Sequence, residues 1–236
     1  DVVGLGKTII ACLIARQLGK RGVVICPPGL MGDRNKTRGW RMYLEQFELP
    51  AWEVRSSGDL EKTAEFVQRV DDIEVVIVDE VHRFRNQDTQ SYELLKNICR
   101  DKIVILLTAT PFNNRPGDIL SLLKLFITPK KSTITLESNL LAKFRAYKTT
   151  FDRLSYIKKN YNSPIAENRA KAEAHYETLF GESGIDLNEV TKRSRYLASQ
   201  IRHVIQPVTI RRNRLDLQKN PFYAEEVKDL SKIADP

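Results

Sequence analysis

The chain has little of what marks a metal cluster, a disulfide scaffold or a membrane anchor. Only three cysteines, Cys12, Cys26 and Cys99, are spread over 236 residues. None forms a C-x-x-C pair or sits in a His/Cys cluster, which argues against a structural zinc site and against a disulfide framework. All three lie in apolar contexts, as buried reduced thiols do, so the expected setting is cytoplasmic. No apolar run approaches the roughly 20 residues that span a bilayer, and no cleavable leader is expected at the start. There is no internal repeat or low-complexity tract. No zinc-finger or helix-turn-helix signature points to base-sequence readout. A hydrophobic content of 42% over this length suits one large or two small globular domains.

What is present is organised around Val75-Val76-Ile77-Val78-Asp79-Glu80-Val81-His82. Four apolar β-branched residues followed by two carboxylates read as a buried parallel strand ending at a charged site. In open α/β sheets ligands bind just beyond the carboxyl ends of the strands. Two carboxylates there suit a magnesium ion and a water to be activated, although an acidic turn after a strand would look the same. The first residues supply context. Asp1-Val2-Val3-Gly4-Leu5-Gly6-Lys7-Thr8 fits the phosphate-binding loop G-x-x-x-x-G-K-[ST], with Asp1 in place of the first glycine. Gly4, Leu5 and Gly6 would turn backbone N–H groups toward a phosphate. Lys7 would supply a point charge, and the Thr8 hydroxyl would reach Mg²⁺. A helix from Thr8 to about Lys20 would add its positive end to the anion site.

Further along, Val23–Cys26 reads as a short buried strand closed by Pro27-Pro28-Gly29. A helix is expected over Asp33–Phe47, with Trp40, Tyr43, Leu44 and Phe47 as a packing stripe. A strand near 52–54 and a helix over 60–70 precede the central strand. A polar loop at 83–88 and a helix over 89–99 then lead to a second apolar strand at 102–107. That strand exits through Thr108-Ala109-Thr110-Pro111-Phe112-Asn113-Asn114, which places hydroxyls beside the acidic pair. A helix over 116–126 closes an alternating β-α pattern that predicts a doubly wound parallel sheet. Beyond about Leu140 valine-rich runs vanish, and three helices are expected, from about 140, over 163–180 and over 187–204. The segment 208–212 should return in extended form. Charge follows the same division. Residues 1–129 hold 18 Lys and Arg against 17 Asp and Glu, whereas residues 141–214 hold 15 against 7. That asymmetry suits a nucleic-acid footprint or a solvated helical surface.

Taken in order, these motifs resemble the first motor lobe of the Swi/Snf-related ATPases of helicase superfamily two. Asp1–Thr8 is similar to that family's D-x-x-G-L-G-K-T loop. Asp79–Asn86 resembles its D-E-x-H box followed by R-[FL]-[RK]-N, and Leu107–Asn114 its L-T-[AG]-T-P-x-x-N. Cys26–Leu30 with Trp40 downstream is similar to its C-P-x-x-L…W segment. Val208–Leu217, with Arg211 and Arg212, resembles its L-R-R-x-x-x-D-[VL] element. The resemblance implies a RecA-like lobe at 1–129, a basic helical insertion at 130–206 and a return segment at 207–236 toward a second lobe. It implies an ATP hydrolase that uses Mg²⁺ and translocates on double-stranded DNA. Lys7 would hold the terminal phosphates, Thr8 and Asp79 would bind Mg²⁺, and Glu80 would activate water. His82, Thr108 and Thr110 would couple hydrolysis to lobe movement, and Arg211 and Arg212 would contact DNA. The D-E-V-H form and the insert resemble bacterial and archaeal members, which implies a cytoplasmic, nucleoid-associated protein. No second-lobe motif follows, so this chain alone is expected to turn over ATP weakly or not at all. The alternatives are a strand-separating helicase or restriction-system motor subunit, and a basic nucleic-acid or protein binding module on an inert nucleotide fold. A protein partner for the 141–206 stretch is a further expectation.

Overall fold

The structure, a computed structural model, describes residues 6–109, 115–127 and 139–210. They fall into two compact units. The first comprises the described residues up to 109, together with 124–126 and 210; the second comprises 115–123, 127 and 139–209.

In the first unit α1 (Lys7–Leu18) leads to β1 (Gly22–Cys26), α2 (Gly39–Gln46), β2 (Glu53–Ser56), α3 (Leu60–Arg69), β3 (Val75–Val78), α4 (Gln90–Cys99) and β4 (Ile103–Leu106). All strand pairs are parallel and the order is β2-β1-β3-β4. Continuous β-branched runs produce this arrangement, because strands covered on both faces have no polar face to show. Every residue of β1 and β3 is buried. β4 lies at the sheet edge and is more open, with Ile103 40% exposed.

The chain leaves β1 toward β2 in one direction and then crosses back past β1 to β3 and on to β4. With right-handed crossovers, that reversal puts α2 on one face and α3 and α4 on the other. Packing agrees. Val24, Cys26, Val75 and Ile77 share a core with Ala11, Cys12 and Ala15 of α1 and Trp40 and Leu44 of α2. α3 and α4 pack on each other and bury Phe66, Val67, Leu95 and Ile98. The reversal lies between β1 and β3, which is where a doubly wound sheet opens a ligand crevice.

The strands at β1, β3 and β4 fall where the sequence places them. α2 does not span Asp33–Phe47, because residues 33–38 form a turn in which Asp33 accepts from the Thr37 N–H at 2.8 Å. Val81–Phe84, read partly as loop, is a 3₁₀ turn.

The second unit is helical, with α5 (Pro116–Leu123), α6 (Leu140–Asn160), α7 (Ala166–Phe180) and α8 (Leu187–Ile205). α6 is its centre and touches α5, α7 and α8. It buries Phe144, Leu154 and Ile157 against a layer that includes Ala172 and Tyr176 of α7 and Val190, Leu197 and Ile201 of α8. The three helices expected beyond residue 140 are present. α5, which the sequence groups with the α/β part, goes with this unit by packing. Gln206–Val208 is a 3₁₀ turn where an extended return is expected, and Thr209, which follows it, is extended with φ −125° and ψ 121°.

Gly22 opens β1 where nothing larger fits. A Cβ there would lie 2.5 Å from Trp52 Cη2 and 2.7 Å from the Val75 carbonyl oxygen. Gly22→Ala should therefore cost about 1–3 kcal/mol, the usual penalty of overpacking, as read by urea unfolding. Trp52→Phe in the same chain should recover part of that loss, since it removes the ring atoms in the way. The three cysteines are free and buried, and burial pushes each thiol up to about 12 from 9.0. The folded chain then keeps protons that the unfolded chain releases. Stability from this source is complete below pH 9 and falls as pH rises toward 12. Replacing Cys99 with Ala should flatten that alkaline decline in a pH series of unfolding midpoints.

Candidate nucleotide-binding site

The acidic pair is held in place by the ladders on either side of β3. The Asp79 N–H donates to Ile25 O on β1 at 2.8 Å, extending the β1–β3 pairing by one residue. On the other flank Leu107 N–H donates to Val78 O at 2.8 Å, and Val81 N–H donates to Leu107 O at 3.0 Å. The ends of β3 and β4 are thereby locked, and half-buried Thr108 follows directly.

Asp79 is only 6% exposed. A carboxylate that far from water needs donors. It has two: Oδ2 accepts from the Trp40 indole Nε1–H at 2.9 Å and Oδ1 accepts from the Glu80 N–H at 2.9 Å. Its charge is felt nearby. Burial raises the Cys26 thiol pKa, Asp79 raises it further, and Arg41 opposes them.

Trp40 reaches Asp79 through a tight loop. Gly32 and Gly39 have φ of 92° and 65°, and their backbones approach so closely that a Cβ on Gly39 would lie 2.6 Å from Gly32 N. Arg41 closes the same loop, donating its N–H to Met31 O at 3.1 Å and its Nη1 to Gly32 O at 3.0 Å. The sequence reading assigns Trp40 to packing. It is buried, but it is also a donor. The signal was its polar N–H within an otherwise apolar stripe, since a buried tryptophan usually finds an acceptor.

Glu80 stands in the left-handed region, with φ 52° and ψ 43°. That is an uncommon conformation for a residue with a side chain. Buried Val81 and Phe84 anchor the 3₁₀ turn that follows. The turn brings His82 Nδ1 to 3.1 Å from Glu80 Oε2. That nitrogen is buried and has no aligned hydrogen-bond partner among the described residues.

At the other motif, Gly6 (φ 73°) caps α1, and Ile10 N–H donates to Gly6 O at 3.0 Å. Lys7 and Thr8 are the first two residues of α1, both half-buried, and no acidic residue occupies its first turn. The first turn of a helix offers an anion N–H groups that have no acceptor within the helix, together with the positive end of the helix dipole. Gly4, Leu5, Thr110, Arg211 and Arg212 lie outside the described residues.

The donor set bears on the metal. Among the described residues no group of three or more His, Cys, Asp or Glu could hold an ion alone. One buried carboxylate and one hydroxyl fit Mg²⁺, which binds through few protein oxygens and keeps waters and phosphate oxygens. They would not make a zinc or calcium cage.

A four-stranded parallel sheet with an acidic pair at its switch point, preceded by a helix that starts at Gly6-Lys7-Thr8, defines an α/β lobe of RecA type. The chain belongs to the SNF2-related domain family, which it matches over residues 53–230. This agrees with the first lobe of a Snf2-type member of helicase superfamily two. Among curated relatives, Bacillus subtilis (strain 168) YqhH, described as an uncharacterized ATP-dependent helicase, is 29% identical over 189 residues, covering 72% of this chain and 32% of its own length. A Danio rerio chromodomain-helicase-DNA-binding protein 1-like is 28% identical over 160 residues, covering 55% and 15%. The chain thus spans about a third of the length of YqhH. Among solved structures, the Sulfolobus solfataricus SWI2/SNF2 ATPase core in complex with dsDNA matches with TM-score 0.54 at 16% identity, over 96% of this chain and 41% of that one. At that identity the likeness speaks for the fold.

If the fold imposes the left-handed geometry at residue 80, glycine should relieve it. Glu80→Gly is expected to be about 1 kcal/mol more stable than Glu80→Ala, because only the latter keeps a Cβ there. Equal urea midpoints would show that the conformation carries no cost.

Proposed function

We propose that the whole protein is an ATP-dependent motor that moves along duplex DNA without separating its strands, and that this chain is its first, ATP-binding lobe. The observation that carries the reading is the Asp79–Glu80 pair, fixed by ladders on both sides at the switch point of the sheet. Family membership supports ATP use. Support for duplex DNA comes from the Sulfolobus core, whose structure was solved with dsDNA, and from the basic excess at 141–214.

In this reading residues 1–129 are the motor lobe, 130–206 a basic insertion and 207–236 the path toward a second lobe. The turn at Gly4, Leu5 and Gly6 and the Lys7 ammonium hold the phosphates, while Thr8 and Asp79 hold the metal. Mg²⁺, when bound, neutralises charge on the phosphates and orients them. Glu80 takes the proton of the attacking water. Its left-handed backbone turns it out of the strand line, and His82 Nδ1 lies 3.1 Å from its Oε2. His82, Thr108 and Thr110 then relay the change in charge to lobe movement. Arg211 and Arg212 serve as DNA contacts. Phosphoryl transfer asks a protein mainly for positioning and charge stabilisation, which suits this residue set. No described helix is long and apolar enough to cross a membrane, and we place the protein in the cytoplasm on nucleoid DNA. A protein partner on the insertion belongs to the same proposal.

The name of YqhH favours one rival, a strand-separating helicase. A forked duplex decides between them, since the motor proposed here leaves it paired. The central test is ATP hydrolysis by the whole protein with and without duplex DNA. Duplex should stimulate turnover, and Glu80→Gln should abolish it while leaving Mg-ATP binding largely intact. Stimulated turnover in Glu80→Gln would remove the base assignment. Absence of any stimulation would favour an inert nucleotide fold carrying a basic binding module.

A further inference from the structure

We infer that Trp40 is a positioning residue for the metal site, its indole N–H holding the Asp79 carboxylate in the orientation that receives Mg²⁺. The inference rests on the nucleotide reading above and adds a residue to it.

The argument is one of lone pairs and distance along the chain. A carboxylate has about four acceptor positions. Two on Asp79 are taken, Oδ2 by Trp40 and Oδ1 by the Glu80 N–H. The second bond is local, to the next residue, and cannot by itself fix which oxygen faces the crevice. The first comes from 39 residues away and is buried at both ends. Trp40 is 2% exposed, and its ring lies in the core shared with Cys26, Leu44 and Ile77. The Gly32–Gly39 approach and both Arg41 bonds to Met31 and Gly32 fix the start of α2. The donor therefore cannot swing away, and the carboxylate must point its remaining lone pairs elsewhere. Partners of this kind orient a metal ligand without touching the metal, and their loss typically lowers metal affinity about 10–100-fold. Packing alone asks only for a large apolar ring, of which phenylalanine supplies a smaller version. The N–H is what phenylalanine lacks.

The test measures binding of a fluorescent ADP analogue, mant-ADP, to the whole protein in Mg²⁺ and in EDTA. Wild type should bind more tightly with Mg²⁺. Trp40→Phe should lose about tenfold of that Mg²⁺-dependent gain, while its affinity in EDTA stays within about twofold of wild type. Because Trp40→Phe also removes ring volume, a second variant carries benzothienylalanine at position 40, with the same shape and sulfur in place of the N–H. It should reproduce the loss of Mg²⁺ gain with the wild-type circular dichroism and melting curve. If the benzothienyl variant keeps the full gain, the hydrogen bond positions nothing and the inference falls. It falls equally if affinity drops by the same factor in Mg²⁺ and EDTA, which would mark Trp40 as structural only. A wild type that binds the analogue with no Mg²⁺-dependent gain would instead overturn the metal role of Asp79, and that of Trp40 with it, whereas no binding in either condition would overturn the nucleotide reading itself.

Discussion

A buried charge governs this lobe. Asp79 ends a strand in which every residue is buried, and it is itself only 6% exposed. A carboxylate in such surroundings is costly unless donors compensate it, and the cost of leaving it unpaired exceeds the net worth of an ordinary hydrogen bond. Much around it can be read as the answer to that requirement. β1 supplies the carbonyl that holds its backbone, Leu107 just past β4 locks the residue after next, and α2 brings an indole N–H from one face of the sheet. The sheet order makes this possible. Because the chain reverses between β1 and β3, the helices that follow those strands lie on opposite faces, and the gap at the carboxyl ends is left for a ligand.

The tight loop before α2 is the second constraint, and it follows from the first. To put Trp40 over the end of β3, the chain must leave β1 at Cys26 and double back within a few residues. Two glycines in left-handed or related conformations, with their backbones in contact, accomplish this turn, and side chains at either position would collide with backbone. Arg41 then spans the loop to Gly32. The stretch between β1 and α2 thus links a sequence feature, the glycine pair, to a site feature, the orientation of one carboxylate.

The strands were legible because each is a run of β-branched residues bounded by glycine, proline or charge, and such runs in an alternating pattern have few other folds open to them. The positions of Asp79, Glu80, Lys7 and Thr8 followed from strand ends and a helix start. What stayed hidden depends on contacts far apart in sequence. The turn at 33–38 looks helical by periodicity, and only the Gly32–Gly39 approach shows why it is not. Trp40 falls on a helical stripe with Tyr43, Leu44 and Phe47, and that spacing is the same whether its N–H is idle or bonded to a residue 39 positions on. The left-handed backbone of Glu80 has no local signal at all. α5 has the same apolar spacing whichever unit it joins, and only its packing on α6 assigns it.

Left-handed residues also occur at Lys36, Glu48 and Asp101, and Arg55 Nε is buried without a hydrogen-bond partner, but among the described residues only at the end of β3 do several such features adjoin one another. Within four consecutive residues lie a buried carboxylate, a glutamate in a left-handed conformation and a histidine nitrogen buried without an aligned partner. Each costs on the order of 1–3 kcal/mol where nothing compensates it. A fold kept only as a scaffold for a basic surface would have no use for a glutamate in a left-handed conformation that glycine adopts without strain, or for a buried histidine nitrogen without an aligned partner. Strain and unsatisfied polar groups persist where surrounding structure over-determines them, and they concentrate at sites that bind and react. In the basic helical unit α6, α7 and α8 bury only apolar or aromatic residues, and the Ser121 hydroxyl buried in α5 donates to Gly117 O at 2.9 Å. The adjacency of these features at residues 79–82 weighs against the inert-module reading, and it does so on grounds independent of motif matching.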